Sequence, residues 1–297
     1  MRRAVYTVLV GGFDTLLPPV QIEPELDYIA FVDTRQEIPA PWQNKPLVSR
    51  ERNPRMTARW HKLHPHRLLP EYDQSLYVDA NIMIKRRIGA VFDQALHEAP
   101  LALFCHPIRD CVYEEAEAVK RVRYDDAAIV DAQMAFYRAH GLPVRAGLHF
   151  GGVQFSRHND PQLVKLLEDW WRQLKIFSHR DQLSLGFLLR RHHLTVAELP
   201  DQITDNPWFM VGPHRRFRVD LASALPPADA DEIDWMRAAL VGAYQHSLRG
   251  VGPRLAELRE SILRLAKRPA SFAKRIVFRL TWRRHLAKHY HVEPGAR

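Results

Sequence analysis

Apolar positions fall into short unbroken runs in the first part of the chain, with stretches of helical spacing between them. Val5-Tyr6-Thr7-Val8-Leu9-Val10 stops at Gly11-Gly12, and Asp27-Tyr28-Ile29-Ala30-Phe31-Val32 ends at the acid Asp33. Ser75-Leu76-Tyr77-Val78 runs into Asp79, and Leu101-Ala102-Leu103-Phe104-Cys105 into His106. Short β-prone runs bounded by turn formers read as buried strands. Residues 56–64, 88–97, 112–122, 125–140 and 161–177 carry apolar side chains at helical spacing; the first stops before Pro65, the fourth at Gly141-Leu142-Pro143. Residues 35–54 are rich in proline and polar side chains and predict a loop. Residues 146–155 combine glycines with alternation and predict one or two strands with close backbone approach. Strand and helix alternate, so the fold class is α/β.

Past residue 228 the pattern becomes helical throughout, over 231–248, 253–267 and 270–289. The expected division is residues 1–225 as one α/β domain and 226–297 as a basic amphipathic helical extension. Charge sharpens that division. The chain carries +9 overall, but residues 249–297 hold 13 Lys and Arg against 3 Asp and Glu, which leaves the remainder at −1. A duplex binder needs a basic face on its folded core, so no nucleic-acid partner is expected. A basic amphipathic extension suits peripheral contact with an anionic membrane, or docking onto the body with its charges left in solvent. The apolar run at the N-terminus is too short for a signal peptide or a span. Cys105 and Cys111 give no disulfide framework, and both are expected to be small buried residues in a reducing, cytoplasmic setting, at the inner face of a membrane if the extension binds one.

The chemistry collects at strand ends. Ligands of open α/β sheets bind beyond the carboxyl ends of the strands. Asp79 stands there, and Asn81 follows at a spacing of two, so both oxygens can point one way and hold a hard divalent cation that bridges a diphosphate. Asp33 can accept hydrogen bonds from a ribose or base, or cap a turn. Gly11 permits either a simple turn or a close nucleotide contact. Arg59 and Lys62, three apart on one helix face, either reach phosphates or form a solvated basic face. His106 and Arg109 lie just past a strand end and suit substrate or phosphate contact, or capping of the loop. Asp181 sits near a helix start, ahead of the apolar helix expected over Leu185–Leu189, and suits a base, a nucleophile or a helix-terminal carboxylate. The Trp170-Trp171 pair is expected in the core.

The segments Val8-Leu9-Val10-Gly11-Gly12-Phe13-Asp14, Ala58-Arg59-Trp60-His61-Lys62, Tyr77-Val78-Asp79-Ala80-Asn81, His106-Pro107-Ile108-Arg109-Asp110-Cys111 and Arg180-Asp181-Gln182-Leu183-Ser184 occur in this order. Together with the strand ending at Asp33 they resemble the glycosyltransferase-like domain family typified by the plant TOD/MUCI-type Golgi proteins, over roughly residues 4–215. That resemblance implies a GT-A-like, Rossmann-like mixed sheet flanked by helices, a nucleotide-diphospho-sugar donor and a glycan or lipid-linked acceptor. It also implies Asp79 and Asn81 at a metal position, Asp33 toward the nucleoside, Arg59 and Lys62 toward the diphosphate, and Asp181 near the sugar or acceptor; should transfer invert the sugar, Asp181 is the first-choice base and His106 the second. Asn81 stands where the family type keeps a second acid, which weakens a Mn²⁺ or Mg²⁺ site. The alternatives are a sugar- or nucleotide-binding module without catalysis and, further off, a ceramidase-like hydrolase, for which no Gly-x-Ser-x-Gly elbow is present.

Overall fold

The structure, a computed structural model, describes residues 1–12, 14–33 and 38–212. These belong to one compact body, Met1–Gly212. The basic extension expected over 226–297 lies outside the described residues.

A seven-stranded sheet runs through the body. Its strands are β1 (Arg3–Leu9), β2 (Leu26–Val32), β3 (Gln43–Pro46), β4 (Gln74–Val78), β6 (Leu101–Cys105), β7 (His149–Ser156) and β8 (Ala197–Glu198), in the order β3-β2-β1-β4-β7-β6-β8. β3, β2, β1 and β4 pair in parallel, while β7 pairs antiparallel with both β4 and β6. A second, two-stranded sheet joins β5 (Ile82–Ile84) to β9 (Phe209–Val211). The helices are α1 (Pro54–Leu63), α2 (Pro65–Leu68), α3 (Gly89–Ala95), α4 (Val112–Arg121), α5 (Ala127–Ala139), α6 (Pro161–Ile176) and α7 (Asp181–His192). This is the expected mixed α/β sheet flanked by helices.

Local chemistry sets the element ends. The Asn53 side chain accepts from the Arg55 amide and Pro54 opens α1. Asp126 caps α5, and Asp160 caps α6 ahead of Pro161. β1 is buried on both faces, as a central strand between two helical layers must be. Ala4, Tyr6 and Val8 pack with Phe31, Leu69 and Tyr77, while Val5 and Leu9 face the layer that holds Phe92. A third cluster, built around Trp170, Leu166 and Tyr137, binds α4 to α7 together. Trp170 is fully buried and Trp171 nearly so, in the core as expected.

Three differences from the sequence reading have physical causes. The loop at 35–54 contains β3, an edge strand whose Gln-Asn-Lys-Pro residues are all exposed and so carry no apolar alternation. The helix expected near Leu185–Leu189 begins at Asp181, because the polar first turn, Asp181, Gln182 and Ser184, is buried in the site and against α5. Cys111 is buried but Cys105 is exposed, since β6 ends there.

Candidate functional site

Because β7 runs antiparallel, its N-terminal half lies at the carboxyl edge of β1, β2, β4 and β6. Backbone bonds fix this edge: the Asp79 amide donates to the Gly152 carbonyl at 2.9 Å, and the His106 amide to the Leu148 carbonyl at 2.7 Å. At the β1–β2 end the Gly11 amide donates to Asp33 Oδ2 at 2.8 Å. Gly11 and Gly12 have φ of 68° and 62°, a left-handed pair that only glycine adopts without strain. Asp33 Oδ1 is buried with no hydrogen-bond partner, so one carboxylate oxygen closes the turn while the other keeps its full accepting capacity.

The centre of the edge is an ion cluster. Lys62 Nζ lies 2.5 Å from Asp181 Oδ2, and an Arg59 terminal nitrogen 3.3 Å from Oδ1. Lys62 is 1% exposed and Asp181 2%, so this pair is sealed from water. The Lys62 ammonium also sits 5.1 Å from the centre of the Tyr77 ring, within cation–π range. Burial alone would raise the Asp181 carboxyl, but the charges of Arg59, Lys62 and Arg180 outweigh it and hold the group well below the usual carboxylate range. For Arg59 burial works against the charge, and Asp181, Tyr124, Asp79 and Tyr77 reverse it and hold the guanidinium firmly charged. Arg59 and Lys62 therefore do not form a solvated basic face.

Two glycines make the room. A Cβ on Gly151 would lie 3.0 Å from Lys62 Nζ and 3.2 Å from Asp181 Oδ2. One on Gly152 would lie 2.8 Å from Asp79 Oδ2. Successive residues of a strand face opposite sides, so this single dipeptide borders the cation pair on one side and the Asp79 acid on the other.

A second buried acid stands beside the first. Glu115, in the first turn of α4, accepts from Arg109 at 2.7 Å on one oxygen and from Arg180 at 2.9 and 3.1 Å on the other. His106 Nε2 is 3.9 Å from it, while His106 Nδ1 faces the amides of Ile108 and Arg109. Burial pushes the His106 imidazole down to about 4, so it is neutral near pH 7. Burial would raise Glu115, but Arg180, His106 and Arg109 overcome it and lower its carboxyl below the ordinary value. Arg109 and His106 thus both face the Glu115 carboxylate.

Asp79 is half-buried, and Tyr77 donates its hydroxyl to Oδ1 at 2.7 Å. Asn81 does not join it as a chelate. Its side-chain nitrogen Nδ2 donates to the Gly212 carbonyl at 2.9 Å, its main-chain carbonyl accepts from the Gly212 amide, and the residue is 6% exposed. A divalent cation demands several convergent oxygens. Among the described residues no group of three His, Cys, Asp or Glu is arranged to hold a metal ion. His193, a conceivable further ligand, caps the far end of α7, about 18 Å along the helix from Asp181. Among the described residues, those at the sheet edge do not fit a metal cage built by protein alone.

Lys85 donates to the Asn206 carbonyl at 2.8 Å. His61 and His64 donate to the carbonyls four residues back, and His61 Nε2 accepts from the Val48 amide, so both serve helix α1. Tyr77, Glu115 and Arg180 complete the site and escaped the sequence reading, whereas Gly151 and Gly152 supply the close backbone approach expected over 146–155. The Tyr77-x-Asp79 spacing, two residues along one strand, was a usable signal; the contact of Glu115 with Arg180, 65 positions apart, left none.

The family model for the TOD1/MUCI70, glycosyltransferase-like domain matches residues 48–202. That span holds Arg59, Lys62, Asp79, Asn81, His106, Arg109, Glu115 and Asp181, but not Gly11 or Asp33. No curated protein matches the chain. Among solved structures, that of mouse xyloside xylosyltransferase 1 in its apo form is similar at 12% identity and a TM-score of 0.41, over 66% of this chain and 84% of that one. With the family match extending over more than half its length, the chain belongs to the TOD1/MUCI70 glycosyltransferase-like domain family.

Proposed function

We propose that the protein transfers a sugar from a nucleoside-diphosphate donor to a glycan or lipid-linked acceptor in the crevice at the carboxyl edge of the sheet. One observation carries this reading: the Arg59–Lys62–Asp181 ion cluster of α1 and α7 and the half-buried Asp79 past β4 border the same glycine pair of β7, at the sheet edge where the Gly11 turn leaves Asp33 Oδ1 without a partner. Asp33 and Gly11 take the nucleoside. Arg59 and Lys62, already placed and desolvated, lower the cost of charge that builds on the departing diphosphate. Asp79, steadied by Tyr77, faces the donor sugar, and Arg109 flanks it.

The reaction forms a bond from an acceptor hydroxyl oxygen to the anomeric carbon. The bond from that carbon to the diphosphate oxygen breaks, and its electron pair leaves with the phosphate. The acceptor proton needs a destination. Both Asp181 oxygens face cations and the His106 Nδ1 lone pair faces backbone amides, so each is a weak base near neutrality. Asp181 on this reading holds Arg59 and Lys62, and the departing diphosphate oxygen takes the proton, which retains the anomeric configuration. Proton NMR of the first product formed from a defined donor tests it; an inverted product removes this assignment.

The saturated state of Asp181 also favours a second reading, a module that binds nucleotide-sugar without turnover. Thermal-shift screening against nucleoside diphosphates, with and without Mn²⁺, followed by a search for product, separates the two. Stabilisation by one nucleotide with product supports transfer, and stabilisation with no product from any donor supports the module. Cleavage of a lipid amide without nucleotide would overturn both. Residence at the inner face of a membrane, through the basic C-terminal extension, is part of the proposal for a lipid-linked acceptor.

A further inference from the structure

Five arginines, Arg50, Arg52, Arg55, Arg121 and Arg123, are exposed beside the candidate site, and among the described residues none of them is ion-paired. Two segments far apart in sequence contribute them, the entry to α1 and the exit from α4. Arg55 joins the segments, donating to the Tyr124 carbonyl at 3.3 Å with its guanidinium 4.2 Å from the Tyr124 ring centre. The same ring lies 5.4 Å from the guanidinium of Arg180, the residue that precedes Asp181 and binds Glu115. Tyr124 also acts electrostatically on Arg59. The arginine surface therefore leads directly to the buried ion cluster.

Most of the nearby acids are committed elsewhere. Asp125 accepts from Ser178 and the His179 amide, Asp126 caps α5, and Glu117 and Asp131 hold Lys120. Glu51 stands among the arginines. α1 has no acid in its first turn and carries Arg55 there, against the sign its dipole favours. With residues 1–248 at −1 overall, such a concentration is a local feature, not a share of general basicity. Planar guanidiniums match carboxylates in a bidentate fork, and a half-exposed tyrosine ring among them suits the apolar face of a sugar.

We propose that this surface is the acceptor track, and that the acceptor is an acidic polysaccharide whose uronate carboxylates pair with Arg50, Arg52, Arg55, Arg121 and Arg123 as its end enters the site past Tyr124. This rests on the transferase reading and names the acceptor class for it. The test uses the full chain and alginate oligomers as polyuronate, with a neutral glucan of equal length as control. Affinity is measured at low and high salt for the wild-type protein, for Arg52→Glu/Arg121→Glu, for the milder Arg52→Ala/Arg121→Ala, and for Arg283→Glu/Arg284→Glu in the C-terminal extension. Expected are salt-sensitive binding of the alginate oligomer and weak binding of the glucan. Affinity should fall by about tenfold or more in the Arg52/Arg121 reversal, fall less in the alanine pair, and hold in the extension variant. Equal binding of the neutral glucan overturns the proposal. So does a loss confined to the extension variant, or an unchanged affinity in both Arg52/Arg121 variants. Nucleoside-diphosphate binding, followed in parallel by thermal shift, keeps the two readings apart: its absence with patch-dependent alginate binding leaves the track and removes the transferase.

Discussion

Lys62 and Asp181 stand 119 positions apart in sequence and 2.5 Å apart in space, both sealed from water, with the backbone of Gly151 against them. A buried pair of this kind contributes little net stability when intact, but breaking it leaves a charge with no solvent and no partner. Asp181→Ala should therefore destabilise the fold by about 3–5 kcal/mol. The double replacement Lys62→Met/Asp181→Leu should recover only part of that loss, since Arg59 keeps its charge without its carboxylate, while abolishing turnover. Urea denaturation of the three proteins is the measurement. A single variant as stable as wild type would show that the pair is hydrated in solution.

Tyr77 reaches Asp79 across one alternation of β4, at 2.7 Å. Tyr77→Phe keeps the ring that underlies the Lys62 ammonium and removes only the hydroxyl. The stability cost should be about 1 kcal/mol. Turnover should drop by about tenfold, because a carboxylate held by one hydrogen bond less loses its orientation toward the donor. Steady-state rates with nucleotide affinity measured separately decide it; a variant with full turnover means that Asp79 needs no such support.

Gly152→Ala introduces a Cβ 2.8 Å from Asp79 Oδ2 and 2.6 Å from the Phe150 ring. Phe150 is half-buried and can turn aside, whereas Asp79 is held by the hydrogen bond from its amide to the Gly152 carbonyl and by the Tyr77 hydroxyl on its carboxylate. The cost should be about 1–3 kcal/mol, typical of overpacking, with Asp79 displaced and nucleotide binding weakened. Thermal denaturation together with nucleotide titration reads both effects, and a silent alanine would deny that this strand shapes the crevice.

Acidification should weaken the fold in two stages. Burial lowers the imidazoles of His64 and His106 to about 4, against an unfolded value of about 6.5. The unfolded chain then binds more protons between those values, so stability present above pH 6.5 drains away as pH falls toward 4. Asp181 and Glu115 are both lowered, so their contribution is whole above the unfolded carboxyl value of about 4 and is lost below it. Urea midpoints from pH 7.5 down to 4.5 should fall steadily, and His64→Gln should flatten the slope. A midpoint constant over that range would falsify the buried-neutral assignment.

How much of this was legible beforehand depended on how local the cause is. Val5–Val10 and Ser75–Val78 announce themselves as strands because two-sided burial requires unbroken apolar runs. Arg59, Lys62, Asp79 and Asp181 stand out because a strand end or a helix start concentrates chemistry. Their partnerships were not readable. That Lys62 would be consumed by Asp181, that Asn81 would turn to Gly212, and that Glu115 would gather Arg109 and Arg180 all depend on which loops meet at one sheet edge. β3 was invisible for the opposite reason, since an exposed edge strand demands no apolar side chain.

The indole of Trp170, wholly enclosed between α6 and α7, donates its proton to the backbone carbonyl of Asp181 at 3.0 Å. The chromophore is thus wired to the very peptide unit from which the central acid projects. Heating or solvent cannot loosen that acid without also disturbing the ring's environment. Intrinsic ultraviolet emission, to which Trp170 contributes among seven tryptophans, accordingly reports in part on whether the candidate site is assembled, and loss of that assembly should track the collapse of the helical layer instead of preceding it.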